Sequence, residues 1–142
     1  MPRGPSSAHS LQRDTILNIS AEAFAELGYP SATMAQLAQR CGVSKSLLYH
    51  YYASKDAILY DLLHAYMSRL QSLVIEVASR DLPAREALAE TIRRFVREYE
   101  SSRSRHIVLL NDVKYLPPTE RETVIALERS VVQAFADLIS ST

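Results

Sequence analysis

Apolar residues recur at helical spacing through most of the chain, with few β-branched alternations of period two. That pattern predicts an all-α protein, and the punctuation places its helices. Leu17, Ala21, Phe24 and Leu27 form one stripe, closed by Gly28 and then Tyr29-Pro30. Ser31 or Thr33 can cap a short second helix with Met34, Leu37, Ala38 and Cys41 inward, ending at Gly42. Ser44 caps a third helix through about Tyr51. Ser54 caps a fourth, whose long apolar face is Ile58, Leu59, Leu62, Tyr66, Leu70, Leu73 and Val77 and which stops before Pro83. It is long enough to join two parts of the molecule. Pro83 suits the first turn of a fifth helix, with Leu88, Ile92, Phe95, Val96 and Tyr99 inward. A short sixth runs from about Arg105 to Lys114. After Pro117-Pro118 a seventh spans about Thr119 to Ile139, with Val124, Leu127, Val131, Phe135 and Leu138 on one side.

The chain has 142 residues, of which 47% are hydrophobic and 23% charged, an ordinary globular balance that argues against disorder. No run reaches the roughly 18 apolar residues of a membrane span, and the start, Met1 to Leu11, has no apolar core for a signal peptide. A cytoplasmic protein without a membrane role is therefore expected. One cysteine, Cys41, excludes an intrachain disulfide, and His9, His50, His64 and His106 lack ligand spacing, so neither a metal site nor a cofactor is expected.

Lys+Arg and Asp+Glu are both 16, so net charge gives no push toward an anionic partner. Its distribution does. Between Glu26 and Asp56 there is no acidic residue, while Arg40, Lys45, Lys55 and His50 fall there. That stretch can sit against an anion.

Within it, TMAQLAQRCGVSKSLLYHYYASK reads as a short helix, a turn at Gly42-Val43 and a second capped helix. Ala38 is small where the helices cross, Gly42 supplies the positive backbone angle, Val43 packs inside the corner, and Leu37 and Leu48 fill the space beneath. The second helix then presents Lys45, Ser46, Leu47, Tyr49, His50 and Tyr51 on its other face. A cation, hydroxyls, an apolar side chain and aromatics are what reading a DNA major groove requires. Tyr52 reads as packing at the root of the fourth helix. The chain divides into an arm over residues 1–9, a helix-turn-helix head over 10–54 and a helical regulatory part over 55–142.

Residues Leu17 to Leu59 resemble the amino-terminal domain of TetR-type bacterial transcriptional regulators. The string ILNISAEAFAELGY matches that family's first helix, and GVSKSLLYHYYASKDAIL matches its Gly-Val-Ser, Leu-Tyr, aromatic and Ser-Lys order. Ser20 stands where the family usually has a small apolar residue, and Tyr52 where Phe is usual. The resemblance implies a repressor that binds a palindromic operator in double-stranded DNA as a homodimer. Carried over, Lys45, Ser46, Leu47, Tyr49, His50 and Tyr51 face the groove, and Thr33 and Lys55 hold phosphates.

The second half carries no catalytic constellation, so an enzyme is not expected. The resemblance makes it a helical bundle enclosing a small-molecule effector, whose binding alters the separation of two DNA-binding heads. Candidate wall residues are Tyr66, Leu70, Phe95, Tyr99 and Leu110, against the alternative that they are core. RHIVLLNDVKYLPPTER resembles a branch of the family that senses acyl-CoA thioesters. Arg93, Arg94, Arg97, Arg103 and Arg105 could meet coenzyme A phosphates, or Arg93 and Arg97, one turn apart, could instead pair with neighbouring glutamates such as Glu90 and Glu100. TetR-like chains usually continue for two more helices that form the dimer interface, so the regulatory part reads as incomplete at its carboxy terminus. Two other readings stay open: a DNA-binding regulator without a small-molecule ligand, and a helical adaptor controlled by a protein partner.

Overall fold

A computed structural model describes the backbone of residues 5–142 and the side chains of residues 12–142. Residues 1–4 of the expected arm lie outside the described residues, and from Pro5 onward the backbone is helical. Seven α-helices follow in order among the described residues: α1 (Pro5–Leu27), α2 (Met34–Cys41), α3 (Lys45–Tyr51), α4 (Lys55–Ala78), α5 (Ala84–Ser101), α6 (Arg103–Asp112) and α7 (Pro118–Ser140). A single 3-10 turn, Val113–Tyr115, links α6 to α7. The all-α expectation holds, and the boundaries of α2 and α3 agree with the caps read from the sequence. The sixth helix starts two residues earlier than expected and gives way to the 3-10 turn before Lys114.

Local chemistry explains the breaks. Gly28 and Gly42 adopt φ of +83° and +70°, the left-handed conformation that lets a chain leave a helix sharply. Ser44 Oγ accepts the Leu47 N–H at 3.0 Å, and Ser54 Oγ accepts the Ala57 N–H at 3.1 Å. Each cap fixes the first turn of the helix it precedes.

α1 to α3 form a three-helix head. α4 leaves it and runs between α5, α6 and α7, meeting α7 along most of its length. One continuous apolar core passes from head to bundle through α4, with Ile16, Leu17, Phe24, Leu37 and Leu48 at one end and Val108, Leu116, Val124 and Val131 at the other. A smaller cluster of Leu73, Val77 and Ala87 closes the far end.

The inward face of α5 differs from expectation. Ala87, Thr91 and Glu98 are its buried residues, whereas Ile92, Val96 and Tyr99 are exposed and Leu88 and Phe95 only partly buried. Hydrogen bonding is the reason. The Thr91 hydroxyl donates to the Ala87 carbonyl at 2.7 Å, and the Glu98 carboxylate accepts from Arg69 Nε at 2.6 Å and from Ser102 Oγ at 3.3 Å. Polar groups with partners can be buried cheaply, so a stripe of apolar residues alone misorients this helix.

Ser20 is fully buried on α1, and its Oγ has no hydrogen-bond partner. A buried unsatisfied hydroxyl costs about 1–3 kcal/mol, and Ala is the better helix former. Ser20→Ala should therefore raise the unfolding free energy by about 1–2 kcal/mol. The gain should appear as a higher urea midpoint at unchanged m value.

Candidate nucleic-acid interface and effector groove

α2 starts in a reciprocal cap. Thr33 Oγ1 accepts the Gln36 N–H at 3.1 Å while Gln36 Oε1 accepts the Thr33 N–H at 2.8 Å. The hydroxyl hydrogen of Thr33 stays exposed, available to an acceptor from outside. At the other end, the Gly42 N–H meets the Gln39 carbonyl at 3.1 Å and the Val43 N–H the Ala38 carbonyl at 3.0 Å. A Cβ on Gly42 would meet nothing within 4 Å, so the positive φ, not space, demands glycine there.

α3 is pinned by Leu48, which is fully buried. Lys45, Ser46, Leu47, Tyr49 and His50 are exposed. Leu47 is 39% and Tyr49 45% accessible, large side chains held in water by a helix whose anchor faces the other way. Tyr51 departs from this set. It is half-buried against the head's core and stands edge-on to His50, ring centroids 5.8 Å apart. Tyr52 is buried, as its reading as a packing residue requires.

Lys55 has a second task. Its Nζ donates to the carbonyls of Tyr29 at 2.7 Å and Ala32 at 3.0 Å, and lies 4.3 Å from the centroid of the Tyr29 ring. Two of its three N–H donors thus stitch the α1–α2 connection to the start of α4. Sequence alone sees a lysine beside a cap and cannot see carbonyls brought from 23 and 26 residues away.

Two further clamps join α1 and its exit to α4. Arg13 grips the Asp61 carboxylate with both nitrogens of its fork, Nε at 2.7 Å from Oδ2, and the Tyr52 hydroxyl donates to the same oxygen at 2.5 Å. The Tyr29 hydroxyl donates to Asp56. Burial, followed by the neighbouring Asp56 carboxylate, pushes the Tyr29 phenol far above its ordinary range. Burial also pushes the Asp61 carboxyl upward, but its bonds to Arg13 and Tyr52 outweigh that and hold it below the usual value.

The bundle contains a groove of about 410 Å³ between α4, α5, α6 and α7. Of the expected wall residues, Tyr66, Leu70, Phe95 and Tyr99 line it. Leu110 does not. It is 67% exposed, and Leu109, one residue earlier, forms the wall instead. One residue is about 100° of helix rotation, so the misplacement is a matter of facing, not of segment. Phe135 closes edge-to-face on Phe95, centroids 4.7 Å apart. His106 was not singled out by the sequence for this groove. It meets Tyr66 and Tyr99 edge-on, and its Nδ1 is 3.2 Å from the Tyr66 hydroxyl. Tyr66 and His106 are 40 residues apart in the chain, and no local pattern announces their pairing. Burial pushes the Tyr66 phenol up to about 12, so it stays protonated at neutral pH.

The arginines expected to meet coenzyme A phosphates do not converge. Arg93 pairs with Glu90 at 3.3 Å, Arg94 with Glu76 at 3.0 Å, and Arg105 donates to Asn18 Oδ1 at 2.5 Å. Arg94 and Arg97 line a cleft shared with Glu76, Glu90 and Glu98, and Arg103 and Arg105 line another beside α1. Pairing with a neighbouring glutamate, the alternative weighed for Arg93 and Arg97, describes Arg93 with Glu90, while Arg94 pairs with the more distant Glu76 of α4. Among the described residues no cluster of His, Cys, Asp or Glu could hold a metal ion, and no helix is long and apolar enough to cross a membrane.

A three-helix head with a capped, outward-facing third helix, joined through a long helix to a helical bundle, defines a class of helix-turn-helix proteins. Residues 16–62 match the model of bacterial regulatory proteins of the tetR family, and residues 81–142 match a tetracyclin repressor-like C-terminal domain. The chain belongs to the TetR family of bacterial regulatory proteins. It is 26% identical over 125 residues to the HTH-type transcriptional repressor KstR2 of Rhodococcus jostii, covering 88% of this chain and 61% of that protein. The TetR family transcriptional regulator PfmR of Thermus thermophilus superposes with a TM-score of 0.82 at 30% identity, over 90% of this chain and 69% of PfmR. AibR in complex with isovaleryl coenzyme A and operator DNA shares the fold, with a TM-score of 0.75 at 20% identity over 91% of this chain and 70% of AibR. The chain spans between about a third and a little over three-fifths of the length of the curated relatives it matches.

Two predictions follow from the clamps at α4. Asp61 has a depressed folded pKa, so its contribution is present above the unfolded value of about 3.9 and fades as pH falls through the folded one. Asp61→Asn should lower the melting temperature at pH 7, and the gap to the unsubstituted chain should narrow below about pH 4. Lys45→Ala should leave melting unchanged, whereas Lys55→Met should lower the melting temperature by several degrees because two carbonyls lose their donor. Equal melting of the two variants would remove Lys55 from its structural role.

Proposed function

We propose that this chain is the DNA-binding and effector-sensing part of a transcriptional repressor, one that leaves a palindromic operator when a small molecule occupies the groove between α4, α5, α6 and α7. The observation that carries the reading is α3. Leu48 holds its inner side, Lys45, Ser46, Leu47, Tyr49 and His50 stand in solvent, and no acidic residue occurs from 27 to 55. Such a face suits the phosphates and base edges of a major groove. The Thr33 hydroxyl and the remaining Lys55 donor flank it and serve phosphates, with Tyr51 bracing His50 from behind.

Function as a homodimer follows from the symmetry of such operators, since each head reads one half-site. An operator on the bacterial chromosome places the protein in the cytoplasm. KstR2 is named as a repressor, which supports the direction of control. AibR, which carries both isovaleryl coenzyme A and operator DNA, supports control by a small molecule and makes acyl-CoA thioesters a reasonable effector class. In this chain the arginines are divided between glutamates and separate clefts, so an acyl-CoA would be held chiefly through its acyl part.

Selection from a random duplex library should enrich a defined half-site motif, and binding to it should weaken linearly in log–log form as salt rises. Tyr49→Ala combined with His50→Ala should abolish that enrichment while leaving the melting temperature unchanged. Lys45→Ala should reduce the salt slope by about one. No enriched motif, or enrichment that survives the double substitution, would overturn the assignment of α3.

A further inference from the structure

The groove's walls are mostly aliphatic and aromatic side chains, and the residues that bring polar atoms to them are Tyr66, Tyr99, His106 and Glu128. Of these, Tyr66 and His106 are bonded to each other. No lysine or arginine lines it among the described residues. A volume of about 410 Å³ falls in the range of small-molecule sites.

The Tyr66–His106 pair has a property independent of which ring nitrogen carries the proton. If the phenol donates to Nδ1, the imidazole carries its hydrogen on Nε2. If Nδ1–H donates to the phenol oxygen, the phenolic hydrogen is unused. Either tautomer therefore keeps one donor free after the internal bond is made. That donor stands beside the apolar walls, and an uncharged ligand oxygen would accept from it.

Charge decides between acceptors. A carboxylate entering the groove meets Glu128 on its wall and no lysine or arginine. It would exchange water for apolar surface without a fixed positive charge beside it, an arrangement that penalises a buried charge. An ester, thioester or ketone carbonyl offers the same acceptor without that penalty.

Building on the reading of this groove as the effector site, we infer that it takes an elongated apolar molecule bearing one uncharged carbonyl, which accepts a hydrogen bond from the Tyr66–His106 pair, and that it rejects the corresponding free carboxylate. Selectivity comes from the Tyr66–His106 pair on one side and Glu128 on another.

The test uses the full chain, a neutral solvatochromic dye bound in the groove, and three competitors on one skeleton: methyl decanoate, decanoate and decane at pH 8. Methyl decanoate should displace the dye at least tenfold more tightly than decanoate. Tyr66→Phe combined with His106→Phe, which removes both possible donors, should weaken the ester about tenfold and leave decane unchanged. Glu128→Gln, at a partly exposed position where folding is not at risk, should improve decanoate and leave the ester unaltered. Decanoate binding as tightly as the ester, or the double substitution leaving the ester's advantage over decane intact, would overturn the inference while keeping the groove as a ligand site. Failure of all three to displace the dye from a protein whose melting is normal would overturn the effector groove itself, and the inference with it.

Discussion

α4 is 24 residues long, about 36 Å at the helical rise, and ten of its apolar side chains are buried. Ile58, Leu59, Leu62 and Leu63 belong to the same core as the head, and Met67 and Leu70 carry that core into the bundle. Fully burying such a side chain is worth about 1.5–3 kcal/mol. No set of exposed ion pairs in the chain approaches that sum, since each contributes about 0–1 kcal/mol. The placement of α3 relative to the bundle thus rests on one continuous apolar surface, and everything at either end inherits its direction.

Burial is not directional, so it fixes depth better than orientation. The polar clamps supply orientation at the place where the head meets α4. Arg13 and Tyr52 converge on Asp61, Tyr29 reaches Asp56, and Lys55 holds two carbonyls of the α1–α2 connection. Each has a defined geometry, and together they leave the start of α4 little freedom to rotate beneath α1. The exposed face of α3 has its own cause, because α3 packs against α2 and Leu48 is the residue it buries.

The sequence made the elements legible because their ends are written in short-range chemistry. Thr33, Ser44 and Ser54 are caps, and Gly28 and Gly42 take the positive backbone angles that helix exits need. The outward face of α3 was legible for a related reason, since one buried leucine fixes the facing of a seven-residue helix. Facing was lost where polar residues are buried with partners. Thr91 and Glu98 turn α5 away from its apolar stripe, and Leu109 rather than Leu110 reaches the groove. Lys55 and His106 act through groups more than 20 residues distant, and such pairings exist only once the helices have assembled.

One contact between head and bundle differs in kind from the rest. Tyr115, just after α6, lies on Tyr29 with ring centroids 5.3 Å apart and planes 22° from parallel. Offset rings tolerate lateral displacement but lose their attraction when pulled apart. Because Tyr29 also meets Lys55 and Asp56, the stack sets the turn between α6 and α7 one aromatic ring away from the first turn of α4. The head and the two ends of the bundle thus share a single tyrosine as their common neighbour.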